Sequence, residues 1–127
     1  MLNQRNTLLI GSLLSFLSVA FGAFGAHALK SILIENNKVD TYELAVKYLF
    51  FHAIAMILLS ILMDRIKMKA VQLSATFIFC GTVGFSGSLF VMAIFNTTSV
   101  VFITPIGGAL LLAGWGFMGY AAFVSRT

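Results

Sequence analysis

The polar chemistry of this chain's apolar segments is concentrated in four short motifs. They hold His27 and Lys30 in "GAFGAHALK", Lys47, Tyr48 and His52 in "KYLFFH", Ser88 in "GFSGSLF", and Thr104, Gly107 and Gly108 in "TPIGG". Imidazoles and ammonium groups offer donors or positive charge, and the hydroxyls of Tyr48, Ser88 and Thr104 donate or accept. A helix opening at Thr104-Pro105 would add free N–H groups and a positive dipole end, left bare by the double glycine. Such a set suits a carboxylate or a phosphate headgroup. Ser86 lies about 200° from Ser88 on a regular helix, so the two cannot share a face, and Ser88 is the candidate because it lies on the small-residue seam.

Each residue also has a plainer use, since histidines and serines in membranes often hydrogen-bond between helices and do no more. For His27 and His52 the sharper alternatives are ligand or proton handling and metal or haem ligation. A metal lacks a third strong ligand, because Cys80 is about 12 Å from Ser88 along its helix. A bis-histidine haem requires facing imidazoles across an open slot, which the spacing does not impose. No nucleophile with a paired base, no phosphate loop and no acid pair occurs in the spans, so no catalytic residue, metal or cofactor is assigned and the chain reads as non-enzymatic.

These residues must be positioned by membrane helices. Sixty per cent of the chain is apolar and 9% charged, and the mean hydropathy is +1.01, values that place it among integral membrane proteins. The formal charge of +4 resides in short breaks between apolar runs without a basic face, which argues against nucleic acid as a partner. Cys80 is alone, which excludes an intrachain disulfide, and it reads as a buried packing residue. The N-terminal apolar stretch exceeds a secretory h-region and reads as a permanent helix.

The expected fold is all-α, an integral membrane four-helix bundle in a single transmembrane domain over 1–127. The expected spans are approximately 7–29, 42–63, 70–95 and 104–125. Asp40 and Glu43 have capping-box spacing, placing a helix start near Asp40, and Glu43 and Lys47 form an i,i+4 acid–base pair. Thr104 is the expected N-cap of the last helix. The first span carries a stripe of small residues, Gly11, Ser15, Ser18, Gly22 and Gly25; the third carries Ser74, Gly81, Gly84 and Ser88, and the fourth Gly107, Gly114 and Ala121. Intrachain packing at these seams is the expectation, with dimerisation as the sharper alternative. Arg5, Arg65, Lys67, Lys69 and Arg126 share one end, and the basic residues at the other are balanced by acids, so both termini are expected on the cytoplasmic side.

The four motifs, extended as "YELAVKYLFFHAIAMILL", "GFSGSLFVMAIF" and "ITPIGGALLLAGWGF", resemble the small integral-membrane family of unknown function typified by the bacterial YgdD and YwdK proteins. The resemblance covers nearly the whole chain and implies four membrane helices; it carries no activity. Leu49, Phe51 and Phe90 depart from the more polar residues frequent in that family, which leaves those positions without a hydrogen-bonding role.

At 1.5 Å per residue His27 lies about 4.5 Å below Lys30 and His52 about 7.5 Å below Lys47, so all four motifs are expected in the outer third of the bilayer. The functional expectation is an accessory or lipid-organising protein with an outward-facing polar pocket for an anionic headgroup or small acid, with membrane lipids as partners. The alternative is a transporter of a proton, ion or small solute acting as a homo-oligomer, since one chain has too few polar residues to line a path. A haem or quinone redox protein is the third reading.

Overall fold

The computed structural model describes residues 1–67 and 69–125; Met68 in the break between spans and Arg126, counted among the cytoplasmic cations, lie outside the described residues. Five helices follow in order: α1 (Gln4–Ala26), α2 (Lys30–Glu35), α3 (Val39–Arg65), α4 (Lys69–Phe95) and α5 (Ile103–Val124), with no strand among the described residues. All but α2 are long and apolar enough to cross a membrane.

Helix boundaries follow local chemistry, and several differ from expectation. Asn3 caps α1 by accepting from the Asn6 N–H at 2.8 Å, so the helix begins before Thr7. It ends at Ala26, where the backbone of His27 leaves helical geometry (φ −126°, ψ −84°). His27 therefore belongs to a turn and not to the span. The Asp40–Glu43 capping box does not form: Lys38 is the N-cap of α3, without a side-chain bond, and Asp40 sits inside the first turn, where its charge still favours the positive dipole end. Thr104 is likewise inside α5, whose N-cap is Phe102, because its hydroxyl is engaged by Ser88. Asn37 and Asn96 adopt φ of 53° and 49° just after helix ends, a left-handed conformation that asparagine tolerates better than most residues.

Packing runs α1 on α3, α3 on α4 and α4 on α5; α1 and α5 share no extended interface among the described residues. Tyr42, Val46 and Ile57 of α3 meet α1, whereas Tyr48, Ala55 and Leu58 face α5. These two sets flank the buried strip Ala45, Met56 and Leu59, so α1 and α5 lie on opposite sides of the α3–α4 pair. The small-residue seams are intrachain. A Cβ on Gly11 would sit 2.9 Å from Ile57 of α3, one on Gly81 2.8 Å from the Leu111 backbone, and one on Gly114 2.6 Å from Ile78. Close backbone approach of this kind drives helix association in lipid, where apolar transfer does not.

The short α2 covers the outer end. Leu33 is 1% exposed, clustered with Tyr42 and Ala93, and the Asn36 side-chain amide donates to the Ala93 and Ile94 carbonyls at 3.0 and 3.3 Å. These carbonyls end α4 and would otherwise lack partners. Cys80 faces outward on α4 and is exposed, contrary to its expected burial, because the α4 seams toward α3 and α5 are occupied by Ile78, Gly81 and Thr82.

Candidate functional site

On the α5 side of α3 a groove of about 1050 Å³ opens laterally. Leu44 to Leu58 of α3 form one wall, Pro105 to Trp115 of α5 the other, and Phe85 of α4 the floor. The groove exists because α5 packs closely on α4 and not on α3. Gly107 brings α5 so near α4 that a Cβ there would collide with the Phe85 N–H and the Gly84 carbonyl carbon. The helix on the far side of α4 is thus held off α3, and long side chains span the gap.

His52 is the polar centre of this groove. Its Nδ1 lies 2.7 Å from the Tyr48 carbonyl, an acceptor, so Nδ1 carries the proton. Nε2 then accepts from the Trp115 indole N–H at 3.2 Å. Both ring nitrogens are satisfied in one neutral tautomer, and the α3–α5 gap is bridged by a bond that neither helix makes through its backbone. The surrounding wall is aromatic: Tyr48 lies 4.3 Å from Phe85 and 5.8 Å from His52, centroid to centroid, and His52 lies 6.0 Å from Trp115. Lys47, exposed, stands at the outer mouth.

Of the residues singled out in the sequence, Lys47, Tyr48, His52 and Gly108 line this groove. Ser88 and Thr104 are bonded to each other at 2.6 Å between α4 and α5, and Gly107 is buried in the same seam. His27 and Lys30 are exposed beyond the end of α1 and line neither this groove nor the cleft between α1 and α3. The facing imidazoles of a bis-histidine slot are not assembled, since His27 stands apart and Nε2 of His52 is taken by Trp115. The bare amides expected at Gly107 and Gly108 are also absent. With α5 beginning at Ile103, both glycines fall beyond the first turn, where backbone N–H groups are already paired within the helix.

Sequence reasoning missed Trp115 and Phe85. A signal for Trp115 was available: it is the only tryptophan, about 15 Å below Pro105 along its helix, and an indole N–H at that depth needs an acceptor. Its side chain leans toward the helix N-terminus, hence toward the level of His52. Ser86, set aside in favour of Ser88, donates to the Ala45 carbonyl at 2.8 Å and ties α4 to α3.

Comparison with known proteins agrees with a membrane bundle. A UPF0382 membrane protein of Haemophilus influenzae is 39% identical over 126 residues, 98% of each chain. The UPF0382 inner membrane protein YgdD of Escherichia coli K12 is 35% identical over 119 residues, 92% of this chain and 88% of its own. YwdK of Bacillus subtilis, also a UPF0382 membrane protein, is 29% identical over 116 residues, 91% of this chain and 94% of its own. These names state a membrane location and indicate no catalytic activity. No solved structure matches the chain. The family model described as "Protein of unknown function (DUF423)" matches residues 21–108, from the end of α1 to the first turns of α5, and the chain belongs to that family of membrane proteins.

Proposed function

We propose that the protein is a non-enzymatic lipid-binding component of the membrane, whose α3–α5 groove takes an acyl chain while Lys47 holds the phosphate of the headgroup. The observation that carries this reading is an apolar lateral groove with a single charged residue at its outer mouth. From Lys47 to Leu58 the groove runs about 16 Å along α3, close to the hydrocarbon depth of one leaflet. Phe51, Leu58 and Leu112 along its rim are 60%, 55% and 76% exposed, so the opening faces the surrounding acyl chains. A free small acid fits less well. Both nitrogens of His52 are engaged and Thr104 is bonded to Ser88, leaving few polar groups for a ligand without a tail.

The test is native mass spectrometry of delipidated protein titrated with dioleoyl phosphatidylglycerol. Wild type is expected to retain one lipid at low ratios. Gly108→Leu fills the groove, and Gly108 tolerates a Cβ, the nearest atom being Phe85 Cδ2 at 3.7 Å. Retention that is unchanged in both Gly108→Leu and Lys47→Ala rejects the reading.

A further inference from the structure

We infer that the opposite end of the bundle carries a second lipid site, in which an anionic phospholipid lays one acyl chain between α4 and α5 and sets its phosphate on Lys69. The site shares no lining residue with the α3–α5 groove and does not depend on the reading given to that groove.

A lateral groove of about 600 Å³ lies between α4 and α5 at the end that holds both chain termini. Ala70 and Leu73 of α4 form one wall, and Ala113, Gly116, Phe117 and Tyr120 of α5 the other. The four α5 residues follow i, i+3, i+4, i+7 spacing and so share a face. That face is hollow because Gly116 has no side chain: a Cβ there would find no atom within 4 Å. Phe117 is held in place by the Phe77 ring, 5.3 Å away centroid to centroid.

The polar end of this groove is at α4's first turn. Ala70 and Ala121 belong to one core cluster, which puts Tyr120 level with the start of α4. From there the groove runs inward for about 10 Å, to Ala113. Lys69, exposed, is the first residue of α4, and its side chain leans toward the helix N-terminus, away from the bilayer centre. All six lining residues thus lie on the hydrocarbon side of Lys69, and a chain descending from a phosphate held there enters the groove directly.

Charge selects the headgroup. Lys69 is the only charged residue on α4 and α5. Arg65 and Lys67, both exposed, add positive charge within four residues of it. With no acid on either wall, the ammonium of a zwitterionic lipid has no partner, and a net-negative headgroup is favoured. A second copy of the chain fits less well, since a two-fold-related neighbour would bring its own Lys69 to the same level.

The experiment is tryptophan quenching by brominated lipid, with the full chain in dioleoyl phosphatidylcholine vesicles containing dioleoyl phosphatidylglycerol. Trp115→Phe removes the only tryptophan. On that background Phe117→Trp reports on the groove, and Phe16→Trp, at a position 70% exposed on α1, reports on ordinary boundary lipid. Leu73→Trp reads the groove from α4 if Phe117→Trp disturbs the packing. Placing mid-chain bromines on one lipid and then the other gives their relative occupancy. Phosphatidylglycerol is expected to be favoured about fivefold at the groove reporter, the usual effect of one basic residue at a membrane surface, and not at Phe16→Trp. Lys69→Gln and Gly116→Leu are each expected to abolish the preference, the first by removing the cation and the second by filling the groove. Gly108→Leu, which fills the α3–α5 groove, is expected to leave it unchanged.

Equal occupancy at the two reporters, or loss of the preference in Gly108→Leu, overturns the site. Preference retained in Gly116→Leu shows attraction to the surface without a seated chain, and preference retained in Lys69→Gln removes the phosphate contact; either overturns the assignment. Quenching by both lipids that is weaker at the groove reporter than at Phe16→Trp would mean that protein covers the groove, and overturns it in favour of a second copy.

Discussion

His52 shows how much of this protein is decided by single hydrogen bonds. An imidazole with one nitrogen donating to a carbonyl four residues back and the other accepting from an indole has no unused polar atom. Trp115→Phe is therefore expected to cost about 0.6 kcal/mol, the usual worth of an interhelical bond in a membrane, read as a lower midpoint of unfolding in mixed detergent. Ser88 and Thr104 form the comparable link between α4 and α5, and a double-mutant cycle of Ser88→Ala and Thr104→Val should return a coupling of similar size, about 0.6 kcal/mol. Ser74 is the converse case. Its hydroxyl is buried and has no partner among the described residues, so Ser74→Ala removes an unpaired polar group and should leave stability unchanged or raise it by up to about 1 kcal/mol.

At the scale of elements, the contact between α4 and α5 depends on glycine only where backbones meet. A methyl group on Gly107 would run into the Phe85 and Gly84 backbone, which cannot rotate away. Gly107→Ala should separate the two helices and destabilise the fold by about 1–3 kcal/mol. Gly116 and Gly119, on the same helix, have open space where a methyl group would sit, with no atom within 4 Å; Gly116→Ala should be neutral or stabilising by up to about 1 kcal/mol through helix propensity alone. Comparing the two variants in one thermal unfolding series separates packing from propensity. The same logic explains α1. Its small-residue stripe faces α3, with Gly25 against the Tyr42 ring, and the Tyr42 hydroxyl donates to the Phe21 carbonyl, fixing the last turn just before the helix ends.

For the whole molecule, the arrangement of α1 and α5 on opposite sides of α3–α4 matters more than the helix count. It gives α3 two open flanks at its outer end and so creates the groove and the cleft. The charge distribution predicts which membrane face they occupy. With both termini cytoplasmic, Glu35→Cys should react with a membrane-impermeant maleimide on intact cells, whereas Lys67→Cys should react only after permeabilisation. The reverse pattern would place the groove mouth on the cytoplasmic side.

The sequence by itself determined the membrane class, the four apolar helices and the faces on which their small residues lie, because hydropathy, length and a 3.6-residue period are local properties. The inward face of α3 was legible in the same way, from the alignment of Ala45, His52, Met56 and Leu59. Helix ends were less so. Whether Asp40 or Thr104 acts as a cap depends on what else its side chain can reach, and Ser88 reaches Thr104 first. Only the tertiary structure decided which polar residues meet. His27 and His52 are similar in sequence terms, both near the outer end of an apolar run, yet one falls in an exposed turn and the other receives the indole of Trp115 from a helix 63 residues away. That pairing follows from how closely α5 can approach α4 at Gly107, a distance set by two surfaces fitting together and written in neither segment alone.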